Sequence, residues 1–93
     1  MKLRSSPDFD KELFKIKRSD PKLGQKVITK LKILETDPRH PSLRMHQLSG
    51  KRKNEWSISV DKSIRILFLL LDNDEAYLSH VGTHDQVYRV QRT

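Results

Sequence analysis

Apolar residues in the first half of the chain recur at helical spacing. They form two stripes: Phe9, Leu13 and Ile16, then Leu23, Val27, Leu31 and Leu34. Each stripe follows a capping residue and a proline, Ser6-Pro7 and Asp20-Pro21, which is typical of a helix N-terminus. Asp37-Pro38 ends the second stripe because a residue before proline avoids the α region. The pattern predicts helices over about 7–18 and 21–36, joined as a hairpin.

In the second half the apolar period changes to that of strands. Trp56, Ile58 and Val60 alternate with polar residues, which predicts a half-buried strand. The run from Ile64 to Leu71 carries Arg65 as its only charge and is typical of a central strand covered on both faces. Tyr77 to Val81 predicts a further strand that ends at Gly82. The two intervening segments predict turns: Asp61-Lys62-Ser63 and Asp72-Asn73-Asp74.

Residues 2–5 alternate as well and predict a short first strand. The order is then β-α-α-β-β-β, an α+β fold in which a two-helix hairpin packs on one face of a mostly antiparallel sheet. Between helices and strands, Leu43, Met45 and Leu48 suggest that the connection is partly pinned to the core. Its segment 44–48 could extend the second strand. Without repeats or a linker, the 93 residues predict a single domain over 1–93.

Composition excludes several classes of protein. The chain has no cysteine, which rules out disulfides and thiolate zinc sites. Its longest apolar run, from Ile66 to Leu71, is far shorter than the roughly 20 residues of a membrane span, and the first residues lack a hydrophobic signal core. We therefore expect a cytoplasmic protein with no membrane partner.

The net charge of +7 is concentrated in the middle of the chain. Residues 38–54 carry five basic residues and no acidic one, residues 1–37 carry ten against six, and residues 55–93 carry four against six. The stretch predicts a surface for a polyanion, although a solvated loop would have the same composition. The candidate RNA-binding residues are Arg44, Lys51, Arg52 and Lys53.

Histidines, an arginine and a tyrosine supply the groups that metal-free RNA cleavage needs. The ribose 2′-hydroxyl is the nucleophile, so the protein must add only a base, an acid and a cation for the phosphorane. His46 and His84 suit the acid–base roles, Arg65 the cation, and Tyr88 stacking or proton donation. Each histidine could instead be an ordinary surface residue, and Arg65 could pair with a helix carboxylate.

A metal site is not expected. His80 and His84 have i, i+4 spacing, but Gly82 between them argues against a continuous helix. The sequence therefore predicts no cofactor and no metal. If residues 84–88 form a helical turn, His84 and Tyr88 share one face of it.

Four segments resemble the RelE/ParE toxin superfamily of bacterial toxin–antitoxin systems, and within it the YafQ-like branch of ribonucleases. They are His46-Gln47-Leu48-Ser49-Gly50, Trp56-Ser57-Ile58-Ser59-Val60, Ile64-Arg65-Ile66-Leu67-Phe68 and Gly82-Thr83-His84-Asp85-Gln86-Val87-Tyr88. The Gly-Thr-His-x-x-x-aromatic ending is the most specific of these. The resemblance covers nearly the whole chain, weakly in the helices.

The resemblance implies a type II toxin that cuts mRNA in the ribosomal A site and is neutralised by an antitoxin. The implied partners are mRNA, the ribosome with its rRNA, and a cognate antitoxin through which operator DNA would be contacted.

The resemblance also implies roles for individual residues. It places acid–base roles on His46 and His84, the aromatic role on Tyr88 and phosphate binding on Arg65. His80 lies where relatives carry a phosphate-binding arginine. Ser59 and Ser63 stand where YafQ-like sites use a histidine and an aspartate, with Asp61 nearby, which shifts more of the work onto His46 and His84.

Two other functions are compatible with the same sequence. A ParE-type toxin would have this fold and inhibit DNA gyrase by binding, without catalytic duty for the histidines. A non-toxic RNA-binding module, such as a small ribosome-associated protein, would need only the basic stretch. Salt-sensitive RNA binding that survives replacement of His84 would indicate the module.

Overall fold

Five strands and three α-helices make up the fold in a computed structural model that describes residues 1–48 and 54–90. The elements in chain order are β1 (Lys2–Ser5), α1 (Pro7–Ser19), α2 (Pro21–Thr36), a 3-10 helix (Pro41–Leu43), β2 (His46–Gln47), β3 (Glu55–Ser59), β4 (Ile64–Leu71), β5 (Glu75–Thr83) and α3 (His84–Val90). The predicted order β-α-α-β-β-β is confirmed, with β2 and α3 added to it. No helix within the described ranges is long and apolar enough to cross a membrane.

Side-chain caps set the start of both long helices. The hydroxyl of Ser6 accepts a hydrogen bond from the backbone N–H of Phe9 at 3.0 Å, and the carboxylate of Asp20 accepts one from Leu23 at 3.2 Å. Each cap satisfies an N–H that the helix leaves free, an effect of about 1 kcal/mol. The predicted helices are therefore confirmed to within a residue.

The five strands form one sheet in the order β1-β5-β4-β3-β2. β1 runs parallel to β5, and the other three pairings are antiparallel. β4 lies in the centre, as its apolar run predicted, and its residues Ile66, Leu67 and Phe68 are at most 1% exposed. The segment 44–48, predicted to extend the second strand, instead contributes the two-residue edge strand β2 beside β3.

β5 is longer than predicted. It begins at Glu75 rather than Tyr77 and continues through Gly82 to Thr83. The strand also contains a bulge, since Phe68 pairs with Leu78 but the preceding Leu67 pairs with His80. The extra residue, Ser79, breaks the alternation from which the strand was read.

Both faces of the sheet are covered, by different elements. The main core lies between the sheet and helices α1 and α2, with Phe9, Val27 and Leu34 packed against strand residues such as Ile58 and Ile66. On the opposite face a small cluster joins Leu48, Leu67 and Val87 of α3. This second layer corrects the prediction of a half-buried strand at Trp56 to Val60, because Ser57 and Ser59 are also buried, at 0% and 9% exposure.

Candidate functional site

Two rows of residues cross the sheet on the face opposite the helical hairpin. In the first, His46, Ser57, Leu67 and His80 are successive partners on β2, β3, β4 and β5. In the second, Ser59, Arg65 and Gly82 are partners on β3, β4 and β5. Directly paired residues project from the same face of a sheet, which puts Ser57 on the side of Leu67, opposite the hairpin. His80 is the exception: it lies next to the bulge in β5, and its ring contacts Glu12 of α1. The pairing thus brings three of the sequence-predicted site residues, His46, Arg65 and His80, onto neighbouring strands.

His46 lies exposed on the edge strand, against a buried hydroxyl. The Ser57 Oγ is 3.4 Å from its Nδ1 and 3.3 Å from its Nε2. A serine hydroxyl both donates and accepts, so this contact is compatible with either tautomer of the neutral ring. Ser57 therefore orients an imidazole that remains open to solvent on its outer side, a residue that the sequence analysis did not assign to the site.

Arg65 is a half-buried cation in the middle of the sheet. Among the described residues no carboxylate lies within 4.0 Å of its guanidinium, so the ion pair with a helix carboxylate is not found. It lines a cleft of about 380 Å³, the Arg65 cleft, formed by Ser42, Arg44, Ser59, Val60, Asp61, Lys62 and Arg65. Three of these side chains are cationic, so the cleft favours an anion.

Asp61, which lies in the cleft, holds the turn between β3 and β4. Its carboxylate accepts hydrogen bonds from the N–H groups of Ser63 at 2.8 Å and Ile64 at 2.9 Å. The Ser63 bond is the main cause that lowers the pKa of Asp61, and the Ile64 bond and the charge of Lys26 add to it against partial burial. The group is thus a poor proton donor. The Ser59 hydroxyl donates to the Asp61 carbonyl at 2.8 Å, so these residues form the predicted turn.

A capping box places His84 at the first position of α3. The N–H of Thr83 donates to Gln86 Oε1 at 2.9 Å, and the N–H of Gln86 donates back to Thr83 Oγ1 at 3.2 Å. The His84 side chain is 66% exposed, with Nδ1 3.8 Å from a carboxylate oxygen of Asp85. Residues 84–88, for which the sequence left a helical turn as a possibility, lie within α3.

His80 differs from the other two histidines because it is tied to α1. Its Nδ1 lies 3.2 Å from a carboxylate oxygen of Glu12, whose other oxygen accepts from the N–H of Val81 at 3.1 Å. The His80 side chain is only 14% exposed. Glu12 was missed in the sequence, although an acid beside the apolar stripe position Leu13 was a signal for it.

The strand pairing relates three of the candidates, His46, Arg65 and His80, and His84 follows β5 at the start of α3. At about 4.8 Å between neighbouring strands, the backbone at His46 lies about 10 Å from β4 across the sheet. Arg44 joins Arg65 in its cleft. Lys51, Arg52 and Lys53 lie outside the described residues. The described part of the chain holds no group of three or more His, Cys, Asp or Glu placed to bind a metal ion.

Comparison with known proteins identifies the fold. No family model matches the sequence, and no curated protein does. Among solved structures, a YoeB/ParE toxin from Agrobacterium tumefaciens matches with a TM-score of 0.78 at 15% identity, over 90% of this chain and 99% of that one. YafQ from E. coli matches with a TM-score of 0.75 at 17% identity, over 92% and 96%.

A copper-bound mutant toxin from Helicobacter pylori is also similar, with a TM-score of 0.70 at 25% identity over 94% of this chain and 98% of that one. Two further similar structures are toxin–antitoxin complexes, YoeB–YefM from Staphylococcus aureus and DinJ–YafQ from E. coli. These likenesses show that the chain has the fold of the YoeB/ParE and YafQ toxins, which is the fold that the sequence resemblance implied. A shared fold does not by itself define the activity of a site.

Proposed function

We propose that this chain is the toxin of a type II toxin–antitoxin pair and a metal-independent endoribonuclease that cleaves mRNA in the ribosomal A site. The observation that carries the proposal is the Arg65 cleft, where a guanidinium without a carboxylate partner among the described residues lies at the centre of the sheet. His46 and His84 lie on the elements β2 and α3 near this face. Both imidazoles are exposed to solvent, as acid–base groups must be to reach a substrate.

The reaction follows from these groups. One imidazole takes the proton of the ribose 2′-hydroxyl as its oxygen attacks the adjacent phosphorus. The other gives a proton to the 5′-oxygen as the P–O5′ bond breaks, leaving a 2′,3′-cyclic phosphate and a 5′-hydroxyl. Arg65 stabilises the charge that builds on the phosphorane oxygens, since its planar donors match phosphate geometry. The family resemblance assigns to Tyr88 the role of stacking on a base or supplying a proton.

The partner in the proposal is a cognate antitoxin, as in the YoeB–YefM and DinJ–YafQ complexes. Residues 1–37 carry ten basic residues against six acidic ones, so the hairpin surface suits an acidic or amphipathic segment. Phe14 is 60% exposed on α1, with the Arg18 guanidinium 5.7 Å from the centre of its ring. An exposed aromatic beside basic residues is a suitable anchor for such a segment.

The test is inducible expression followed by mapping of mRNA ends. The proposal expects growth arrest and translation-dependent cuts within codons. His84→Ala should abolish both while the purified variant keeps the circular dichroism and urea midpoint of the native protein. Lys22→Ala, an exposed charge removed from α2, serves as the matched control and should remain toxic.

Two outcomes would contradict the proposal. DNA breaks and an SOS response with intact mRNA would indicate the ParE-type gyrase inhibitor instead. Salt-sensitive RNA binding with neither toxicity nor cleavage would indicate a non-toxic RNA-binding module. Retained cleavage by a folded His84→Ala variant would remove His84 from the mechanism.

A further inference from the structure

A second cleft of about 380 Å³ shares Arg44 with the Arg65 cleft. Its lining, here called the Trp56 cleft, consists of Trp56, Met45, Arg39, His40, Arg44 and the prolines at 38 and 41. The volume lies in the range of small-ligand sites. The lining combines apolar and polar groups. An indole, a thioether and two proline rings supply apolar surface, and two arginines and a histidine supply hydrogen-bond donors. Among the residues that the structure describes, no acidic one contributes to the lining.

Trp56 is available as a stacking surface despite its place in β3. Its side chain is half-buried and packs against the edge of the main core, so one part of the indole is fixed by the protein. The remaining part lines the cleft. A rigidly held aromatic ring with an open side is the usual platform for a nucleobase, because every base has a π-face.

His40 presents a defined donor to the same cleft. Its Nδ1 accepts a hydrogen bond from the backbone N–H of Ser42 at 3.1 Å, which caps the 3-10 helix. In a neutral imidazole with Nδ1 as acceptor, the proton is on Nε2. The ring therefore has an N–H to offer to a phosphate or a base edge.

Arg44 connects the two clefts, because it lines both. Its backbone has φ of 46°, in the left-handed region that a non-glycine residue rarely adopts. Such a conformation persists where the surroundings hold it, and it is frequent at ligand sites. Within the described residues neither Arg39 nor Arg44 forms an ion pair, so both guanidinium groups remain available to an anion.

We propose that the Trp56 cleft binds one nucleotide of single-stranded RNA, next to the nucleotide whose phosphate occupies the Arg65 cleft. Its base stacks on Trp56, and its phosphate lies between Arg39 and Arg44. This inference rests on the proposed function and deepens it, since a base pocket beside the scissile phosphate would set the sequence preference of cleavage. Arg44 holds the strand where it passes from one cleft to the other.

The sole tryptophan of the chain gives a direct measurement. The probe is a 2′-O-methyl RNA trinucleotide, which lacks the nucleophilic hydroxyl and stays intact. Stacking on Trp56 should quench its emission in a saturable way, with the same Kd as fluorescence anisotropy of the labelled probe. A trinucleotide with one abasic position should bind roughly tenfold more weakly when that position occupies the cleft.

Substitutions separate this cleft from the rest of the protein. Arg39→Ala should weaken binding roughly tenfold, whereas Lys22→Ala, which removes an equal charge from α2, should leave the Kd within about twofold. Trp56→Leu should also weaken binding of the probe, as measured by anisotropy. If the Trp56→Leu variant fails to fold, Arg39→Ala still tests the cleft. Probe binding without any change in Trp56 emission would overturn the proposal, as would equal binding of the abasic probe.

The experiment also distinguishes this inference from the proposed cleavage. A folded His84→Ala variant should lose cleavage but keep the quenching and the Kd. Quenching by a protein that cuts no RNA would support the cleft while removing the enzymatic function. Cleavage of RNA by a protein whose Trp56 emission does not change with the probe would support the enzymatic function and overturn the proposal for the cleft. Quenching by a poly-glutamate peptide but not by the trinucleotide would assign the cleft to an acidic protein segment and overturn the proposal.

Discussion

Gln86 lies so close to Gly82 that a Cβ on Gly82 would stand 2.7 Å from the Gln86 Oε1. That oxygen is also the acceptor for the N–H of Thr83 in the capping box of α3. Gly82, the glycine of the Gly-Thr-His ending, is thus required sterically, because a side chain there would displace Gln86, which caps the first turn of α3. Because His84 is the first residue of that turn, the orientation of a proposed acid–base group depends on a position, Gly82, that carries no side chain.

Gly82→Ala should therefore displace Gln86 and loosen the start of α3. We expect the free energy of unfolding to fall by about 1 kcal/mol, the usual effect of a lost cap. The rate of RNA cleavage should fall by a larger fraction than the free energy of unfolding. Urea unfolding and cleavage kinetics measure the two quantities. Gln86→Ala should have a similar effect, and the double variant should lose less than the sum of the two. Full additivity would show that the residues act separately.

The Glu12 carboxylate is the second contact that positions β5. Glu12→Ala leaves the N–H of Val81 and the ring of His80 without this partner, and an unsatisfied buried donor costs about 1–3 kcal/mol. We expect a loss of that size in urea unfolding. Glu35→Ala removes an exposed carboxylate from α2 and is the matched control. Equal stability of both variants would contradict a role for Glu12 in fastening α1 to the sheet.

The sequence predicted those structural features that depend on contacts between residues close together in the chain. Ser6 and Asp20 each bond within the next three residues, so their helices were predictable from neighbouring residues. The burial of Ser57 was not, because the residues that pack on that face of the sheet around its strand partner Leu67, Leu48 and Val87, come from distant parts of the chain. The Glu12–His80 pair is separated by 68 residues, and no spacing rule connects them.

The candidate site shows the same limit. Residue types indicated the chemistry of His46, Arg65 and His84, but the register of the strands decided which serine meets which ring. Ser57 was read as the exposed side of a strand and is instead the buried contact of His46.

Ser57→Ala tests whether this contact orients His46. Removing the hydroxyl leaves the imidazole freer to rotate, so we expect kcat to fall about tenfold or less with KM nearly unchanged. A merely structural role would lower the urea midpoint and leave the kinetics of the folded fraction intact. Ser63→Ala removes a hydroxyl from the exposed turn and is the control. Unchanged kcat and pH profile in Ser57→Ala would show that the hydroxyl does not position the ring.

Asp61 makes the stability of the turn before β4 dependent on pH. Hydrogen bonds from Ser63 and Ile64 and the charge of Lys26 lower the pKa of Asp61 in the folded chain. A folded-state pKa below the unfolded value means that the unfolded chain binds more protons, so the stabilisation is present above the unfolded pKa of about 3.9 and is lost as pH falls through the folded pKa. Asp61→Asn keeps an acceptor oxygen but loses the charge.

In urea unfolding the native protein should be more stable than the Asp61→Asn variant at pH 7, and the difference in the free energy of unfolding should shrink below about pH 4. Asp72→Asn, in the exposed turn before β5, controls for the loss of one negative charge. A difference between native protein and Asp61→Asn that stays constant down to pH 2 would show that the ionised carboxylate does not hold the turn.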